Sequence, residues 1–283
     1  MAVRFIVDSA ADVLPEECAR LGVTHVPLKV IFGEEEFDDG VDLSHRAFYE
    51  KLVESDRLPT TSQVTPAAFL EALEPIMENG DEAVILTLSS RLSGTCQSAR
   101  IAAAEYGQRV FVVDTLSVSL GERLLLLMGL RFRDQGLTAG QIAEKLEEEK
   151  KKIRLMALVD TLEYLKRGGR ISAATALAGS LLSIKPVIAL QDGAVEVVGK
   201  ARGSKQGNNL LRQLVQSCGG IDFEKPFCLA YSGLSDAMMN KYIIDSAELL
   251  RGHEQDMLLA TVGCAIGTHA GPGAVAVAFF QNS

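Results

Sequence analysis

The sequence predicts an α/β protein of two domains, an N-terminal Rossmann-like layer built on a parallel sheet and a C-terminal mixed-sheet α/β domain. Three observations predict it. Short apolar runs alternate with helical periodicity up to residue 152, the order that right-handed crossovers turn into a parallel sheet. A hairpin signal, Asp192-Gly193 between two apolar runs, breaks that order in the second half. The length, 283 residues, exceeds the size at which a single core usually stops growing. The expected domains are 1–152 and 153–283.

Residues 4–7 form a short apolar strand ending at Asp8-Ser9, and Pro15 opens a helix, since proline suits the first helical turn. An extended segment over residues 24–32 breaks at Gly33, and Ser44 then caps a helix through Phe48 and Leu52. Thr65-Pro66 is a cap followed by a first-turn proline. Phe69, Leu70, Leu73 and Ile76 share one side of that helix, and Gly80 stops it. Residues 83–86 are a strand of the buried parallel type, after which Ser93-Gly94-Thr95 opens an alanine-rich helix. A third such strand, 110–113, ends in Asp114-Thr115 and precedes a leucine-rich helix and a charged one over 138–152.

Past Lys150-Lys151-Lys152 the pattern changes. A strand at 155–159, a helix around Leu162 to Lys166, the turn Gly168-Gly169-Arg170 and a small-residue helix over 173–182 follow in order. The hairpin pairs 186–190 with 195–198, and further strands fall near 228–231, 257–262 and 274–280.

Composition excludes several function classes. With 28 basic against 37 acidic residues the net charge is -9 and the pI is near 5.1. Both oppose a nucleic-acid or anionic-membrane surface, which needs a basic footprint. The longest apolar run, Leu124 to Leu130, is far below the ~20 residues of a membrane span, so stable membrane insertion is not expected. The opening Met1-Ala2-Val3-Arg4 has no secretory pattern, so the expected location is cytoplasmic. Five cysteines without a C-x-x-C pair read as free thiols, and four histidines without zinc spacing predict no metal.

Three distant stretches carry the chemistry: Thr61-Ser62-Gln63, Leu92-Ser93-Gly94-Thr95 and Gly267-Thr268-His269-Ala270-Gly271-Pro272-Gly273. Hydroxyls and free N–H groups at helix starts hold an anion without Lys or Arg, so together they predict a neutral anion pocket. In parallel sheets ligands sit beyond the carboxyl ends of strands, where Asp8-Ser9, residues 89–95 and Asp114-Thr115 all lie. Ser93 and Thr65 are also ordinary capping residues, and His269 in a loop of three glycines and a proline either orients a hydroxyl or ties the loop. A serine hydrolase using Ser93, His269 and Asp8 or Asp114 is the enzymatic alternative, although Ser93 lacks G-x-S-x-G and no phosphate-loop motif occurs.

In order, residues 7–12, 61–63, 88–95, 113–115, 166–171, Lys185-Pro186 and 267–273 resemble the DegV family across nearly the whole chain. The resemblance implies a two-domain fold with a long-chain fatty acid, such as palmitate or oleate, buried between the domains. It implies a non-catalytic role as the fatty-acid-binding subunit of bacterial fatty acid kinase. A separate ATP-dependent catalytic subunit would then phosphorylate the carboxylate for phospholipid synthesis. Carried over by motif, Thr61 and Ser93 bond the carboxylate, His269 supports them, and Ser62, Gly94 and Thr95 line the pocket. Arg202 matches the position that engages the kinase, and Arg170 positions backbone between the domains. Val64 and Cys96 depart from the usual proline and aromatic, which implies a changed pocket shape. The family's similarity to dihydroxyacetone kinase leaves a further alternative, a polar triose site anchored covalently on His269.

Overall fold

A computed structural model describes residues 1–172 and 184–282; the small-residue helix expected over 173–182 lies outside the described residues. Its strands form three sheets. The first is wholly parallel, in the order β2-β1-β6-β7, and comprises β1 (Val3–Asp8), β2 (Val23–Val26), β6 (Glu82–Thr87) and β7 (Val110–Asp114). Its central strands are continuous apolar runs because helices cover both faces. Phe5, Ile6, Val7, Val84, Ile85 and Leu86 are all fully buried.

The second sheet is mixed, with order β10-β9-β8-β13-β11-β12. It contains β8 (Ile153–Leu158), β9 (Ile184–Gln191), β10 (Ala194–Arg202), β11 (Cys228–Tyr231), β12 (Leu258–Thr261) and β13 (Val275–Phe280). Asp192 and Gly193 make the β9–β10 turn with φ of 47° and 81°, the left-handed pair that a two-residue hairpin of this twist requires. The turn docks on the parallel layer, where the Ser89 hydroxyl donates to the Gly193 carbonyl at 2.7 Å. Leu211, Val215, Phe227 and Tyr242 fill the sheet's outer face, while its inner face looks toward the parallel layer.

The expected strand over 24–32 is in fact two. Pro27 interrupts it, since proline cannot continue a ladder, and Leu28 N–H turns to the Ser9 hydroxyl at 3.0 Å. The second half, β3 (Lys29–Phe32), becomes the centre of a small antiparallel sheet between β4 (Glu35–Asp38) and β5 (Thr60–Ser62). Neither β4 nor β5 was expected.

Local signals elsewhere hold. Ser44 caps His45–Glu54, Thr65 caps Pro66–Glu78, and Thr138 with Gln141 forms a reciprocal cap on Ala139–Glu149. Lys150–Lys152 is a separate short turn of 3-10 helix rather than part of that helix. Ser93 is not a cap: Gly94 holds that position and the helix Thr95–Ala103 starts behind it. The five cysteines are free. Among the described residues no helix is long and apolar enough to cross a membrane.

The expected glycine loop at 267–273 is also partly helical. Cys264–Ala270 is a short helix with His269 in its last turn, and only Gly271, at φ 71°, begins the turn into β13. Three residues from the first fifty hold this helix. Asp12 Oδ1 accepts Gly263 N–H at 2.9 Å, Asp39 accepts Cys264 N–H at 2.9 Å and Ala265 N–H at 3.2 Å, and the Tyr49 hydroxyl donates to the Val262 carbonyl at 3.0 Å. Burial pushes the Asp12 carboxyl up to about 8, against the opposing hydrogen bond from Ser119.

Asp39→Ala leaves two buried N–H groups without acceptors, each costing ~1–2 kcal/mol. We expect a loss of roughly 2 to 4 kcal/mol by urea unfolding, with Asp39→Asn, which keeps one acceptor oxygen, losing about half as much.

Candidate ligand-binding site

A cavity of about 350 Å³ lies between the parallel layer and the mixed sheet, within the ~300–1,000 Å³ usual for small-molecule sites. One end is polar, formed by Thr61, Ser62, Gln63, Ser93, Arg170 and His269. Apart from Ser119 the rest is apolar, with Leu28, Leu92, Ala157, Ile188, Ile266 and Ala276 among its walls.

Each polar residue reaches the cavity from a different element. β5 pairs with β3 through Val30 opposite Thr61 and Lys29 opposite Ser62, which fixes the two hydroxyl residues at the sheet edge. The loop after β6 closes on itself through Ser93 N–H to the Ser89 carbonyl at 3.1 Å. Behind it, the Ser93 and Thr95 hydroxyls lie 2.9 Å apart, and Thr95 Oγ1 also accepts Val64 N–H at 3.3 Å. Arg170 follows the helix Glu163–Arg167. Its Nε donates to the Leu92 carbonyl at 3.2 Å and its Nη1 to the Gly168 carbonyl at 2.5 Å. The guanidinium therefore joins the C-terminal half of the chain to the Ser93 loop.

His269 Nε2 lies 2.9 Å from Thr61 Oγ1. Burial, reinforced by the Arg170 charge, pushes this imidazole down to about 4, so it is neutral at pH 7. Its Nδ1 is buried and has no hydrogen-bond partner among the described residues. An unpaired lone pair there costs less than an unpaired N–H, which places the proton on Nε2, donating to Thr61. The Thr61 hydroxyl proton is then free for a ligand. Gly168 makes room for the ring, because a Cβ at that position would overlap His269 Nδ1.

Thr61, Ser62, Ser93, Arg170 and His269 thus share one cavity, while three other candidates do not line it. Thr95 is fully buried behind Ser93, and Gly94 sits under the Gln63 side chain, where a Cβ would collide. Arg202 is exposed at the end of β10. The expectation of a pocket without Lys or Arg is corrected by Arg170, which lies on the cavity wall. His269 also stands in the last turn of a short helix, where a glycine-rich loop was expected. Val64 and Cys96 are buried and do not themselves line the cavity. Val64 N–H, moreover, makes a bond that proline has no hydrogen for.

Gln63, already part of the first hydroxyl stretch, donates through Nε2 to Ser98 at 3.1 Å, whereas Ser119, a cavity residue the sequence did not flag, is held at φ 51° with its hydroxyl on Asp12. The motif Ser117-Val118-Ser119 beyond a strand end was the available signal.

Among the described residues Ser93 and His269 are not arranged for acyl transfer. Ser93 pairs with Thr95 rather than the imidazole, no described carboxylate stands behind Nδ1, and an imidazole pushed to about 4 is a poor base at neutral pH. Hydroxyl donors and a guanidinium at one end of an apolar channel instead suit an anion with a long apolar tail.

A family model described as that of uncharacterised DegV proteins matches residues 2–282. The chain belongs to the DegV family. A DegV domain-containing protein of Deinococcus radiodurans is 39% identical over 282 residues, covering 98% of each chain. A fatty-acid-binding DegV-family protein of Thermus thermophilus superposes with a TM-score of 0.87 at 32% identity, covering 99% of this chain and 100% of the other. DegV of Bacillus subtilis, described as a fatty acid binding protein, superposes at 0.83 with 26% identity over the whole of both chains.

For this DegV-family chain, imidazole NMR signals followed against pH are expected to show His269 titrating with a midpoint of about 4. Arg170→Gln removes a charge that disfavours the imidazolium, so its midpoint moves up.

Proposed function

We propose that this protein binds a long-chain fatty acid and presents its carboxylate to a separate ATP-dependent kinase subunit, which forms the acyl phosphate. One observation carries the reading: a single cavity joins a cluster of hydroxyl, imidazole and guanidinium groups to an apolar gallery. Relatives of the same fold are fatty-acid-binding proteins. Thr61 and Ser93 donate to the carboxylate, Ser62 adds a further hydroxyl, and His269 and Arg170 hold the cluster in place. Gly94 and Thr95 act from behind, through Gln63 and Ser93. The units 1–152 and 153–283 supply opposite walls, and the expected setting is the cytoplasm.

Burying ~14 methylenes of palmitate at ~0.8 kcal/mol each yields on the order of 10 kcal/mol, comparable with the ~4–15 kcal/mol entropic cost of association. The tail therefore supplies most of the affinity. The head supplies specificity, because a carboxylate removed from water without donors is expensive.

The kinase half of the reading rests on direction. β8 runs toward the head end through Val159, β9 runs away from it, and β10 returns, since both pairs are antiparallel. Arg202, paired with Ile184 at the close of β10, therefore lies at the head end of the sheet, exposed in an acidic protein.

Two measurements test these halves. Lipid extracted from the purified protein is expected to contain fatty acid, and the delipidated chain to take up palmitate or oleate in native mass spectrometry. Thr61→Val, which removes a hydrogen bond to a charged group, weakens uptake at least tenfold. Failure of the delipidated chain to take up either acid overturns the reading. In the second, Arg202→Ala leaves fatty acid uptake unchanged but lowers ATP-dependent hydroxamate formation when a fatty acid kinase catalytic subunit and hydroxylamine are present.

A further inference from the structure

Strand register lays out the cavity wall in rungs. Nearest the polar head are Val159, which follows β8, and Ala274, five residues after His269. Ala157 pairs with Ala276 on one side and Ile188 on the other, forming the next rung. Leu155 and Leu190 follow two residues further along β8 and β9, with Val195 opposite Leu190 on β10. All of these line the cavity. At ~3.3 Å per residue, successive rungs are ~7 Å apart, and the Leu155 rung is the last.

At that rung the sheet opens. β8 begins at Ile153 and β9 ends at Gln191, yet their pairing stops at Met156 opposite Ala189. A second cavity of about 480 Å³ occupies the gap, touching consecutive residues of both strands, Leu155 with Met156 and Ala189 with Leu190. Consecutive residues point to opposite faces of a sheet, so this cavity runs through the splay from one face to the other, reaching Val198 and Leu214 on the far side. Leu155 and Leu190 line both cavities. They are the partition between them.

We propose that Leu155 and Leu190 set the longest acyl chain this protein accepts, by closing the gallery against the cavity in the β8–β9 splay. The inference rests on the fatty-acid reading above. A tail that fits ends against two branched apolar side chains. A longer one has to displace them or leave its terminal carbons unburied, and each methylene left unburied forfeits about fourfold in affinity. Leu190, half-buried at the splay, has more freedom to yield than the buried Leu155.

The test compares delipidated full-length wild type with Leu155→Ala/Leu190→Ala across the saturated series from myristic to behenic acid, reading dissociation constants by competition in native mass spectrometry. Wild-type affinity is expected to climb with chain length and then drop. In the double variant the drop moves outward by about two carbons, with about tenfold tighter binding of the first acid that wild type rejects. Leu190→Phe, a single change at the half-buried position, moves the drop inward and carries the test alone should the double variant fail to fold. Binding by wild type with the drop at one unchanged length in every folded variant overturns the assignment and leaves the fatty-acid reading standing. No uptake of any acid by wild type overturns both.

Discussion

The site depends on buried carboxylates from the first forty residues accepting backbone N–H groups more than two hundred residues away. Asp12 and Asp39 together bind the N–H groups of Gly263, Cys264 and Ala265. These are orphan donors of a helix start, which the carboxyl oxygens satisfy as hydrogen-bond acceptors. The bonds fix the direction of the helix Cys264–Ala270, and so the position of His269 against Thr61 at its far end. Burial pushes Asp12 up to about 8 and Asp8 up to about 7. Such groups persist in a core only where hydrogen bonds are numerous, and both carboxylates accept two or more.

A second constraint follows from where the polar groups converge. The loop after β6 and the turn after β7 both leave the carboxyl edge of the parallel sheet, where backbone N–H groups and small hydroxyls face the opening. The mixed sheet offers Ala157 and Ala276 to the same space, and the helix and turn leading into β13 add Ala270 and Ala274. Small side chains on one wall and short polar ones at the rim leave a narrow, apolar void with a wet end. A compact polar ligand such as a triose would leave those alanine and leucine walls unmatched, whereas an acyl chain covers them.

Much of this was legible in the chain because the signals are local. Asp192-Gly193 specified its hairpin by backbone conformation alone, and Thr65-Pro66 and Ser44 marked helix starts through hydrogen bonds spanning three residues. Thr61, Ser62, Ser93 and His269, singled out in the sequence as hydroxyl and imidazole stretches, do line one cavity. What was missed is non-local. β4 is the acidic stretch Glu35–Asp38 with little apolar alternation, and β5 is only three residues long, so both exist by pairing with β3. The helix Cys264–Ala270 contains Gly267 and is bounded by Gly263 and Gly271, which reads as a loop. The distant carboxylates at its start make it a helix. Arg170 was placed between the halves of the chain, yet its presence in the ligand wall depends on Leu92, which only the tertiary fold brings near.

The character of the polar end also bears on exchange. A desolvated, unencumbered Arg facing a carboxylate makes a tight pair whose separation strands two charges. Here the Arg170 guanidinium already donates to two backbone carbonyls, and the imidazole beside it is neutral because burial and that same positive charge oppose its protonation. The remaining donors are hydroxyls, which rotate and accept water as readily as they donate to an anion. A head group held this way is compensated when bound and leaves no stranded side-chain charge when it departs. An acyl tail bound as proposed would, by contrast, be retained by area alone, a term without direction that lets a chain slide along its channel. Strong apolar retention combined with a replaceable polar end fits the carrier role proposed above, and it differs from the rigid nucleophile and base geometry that a hydrolase would need in the same space.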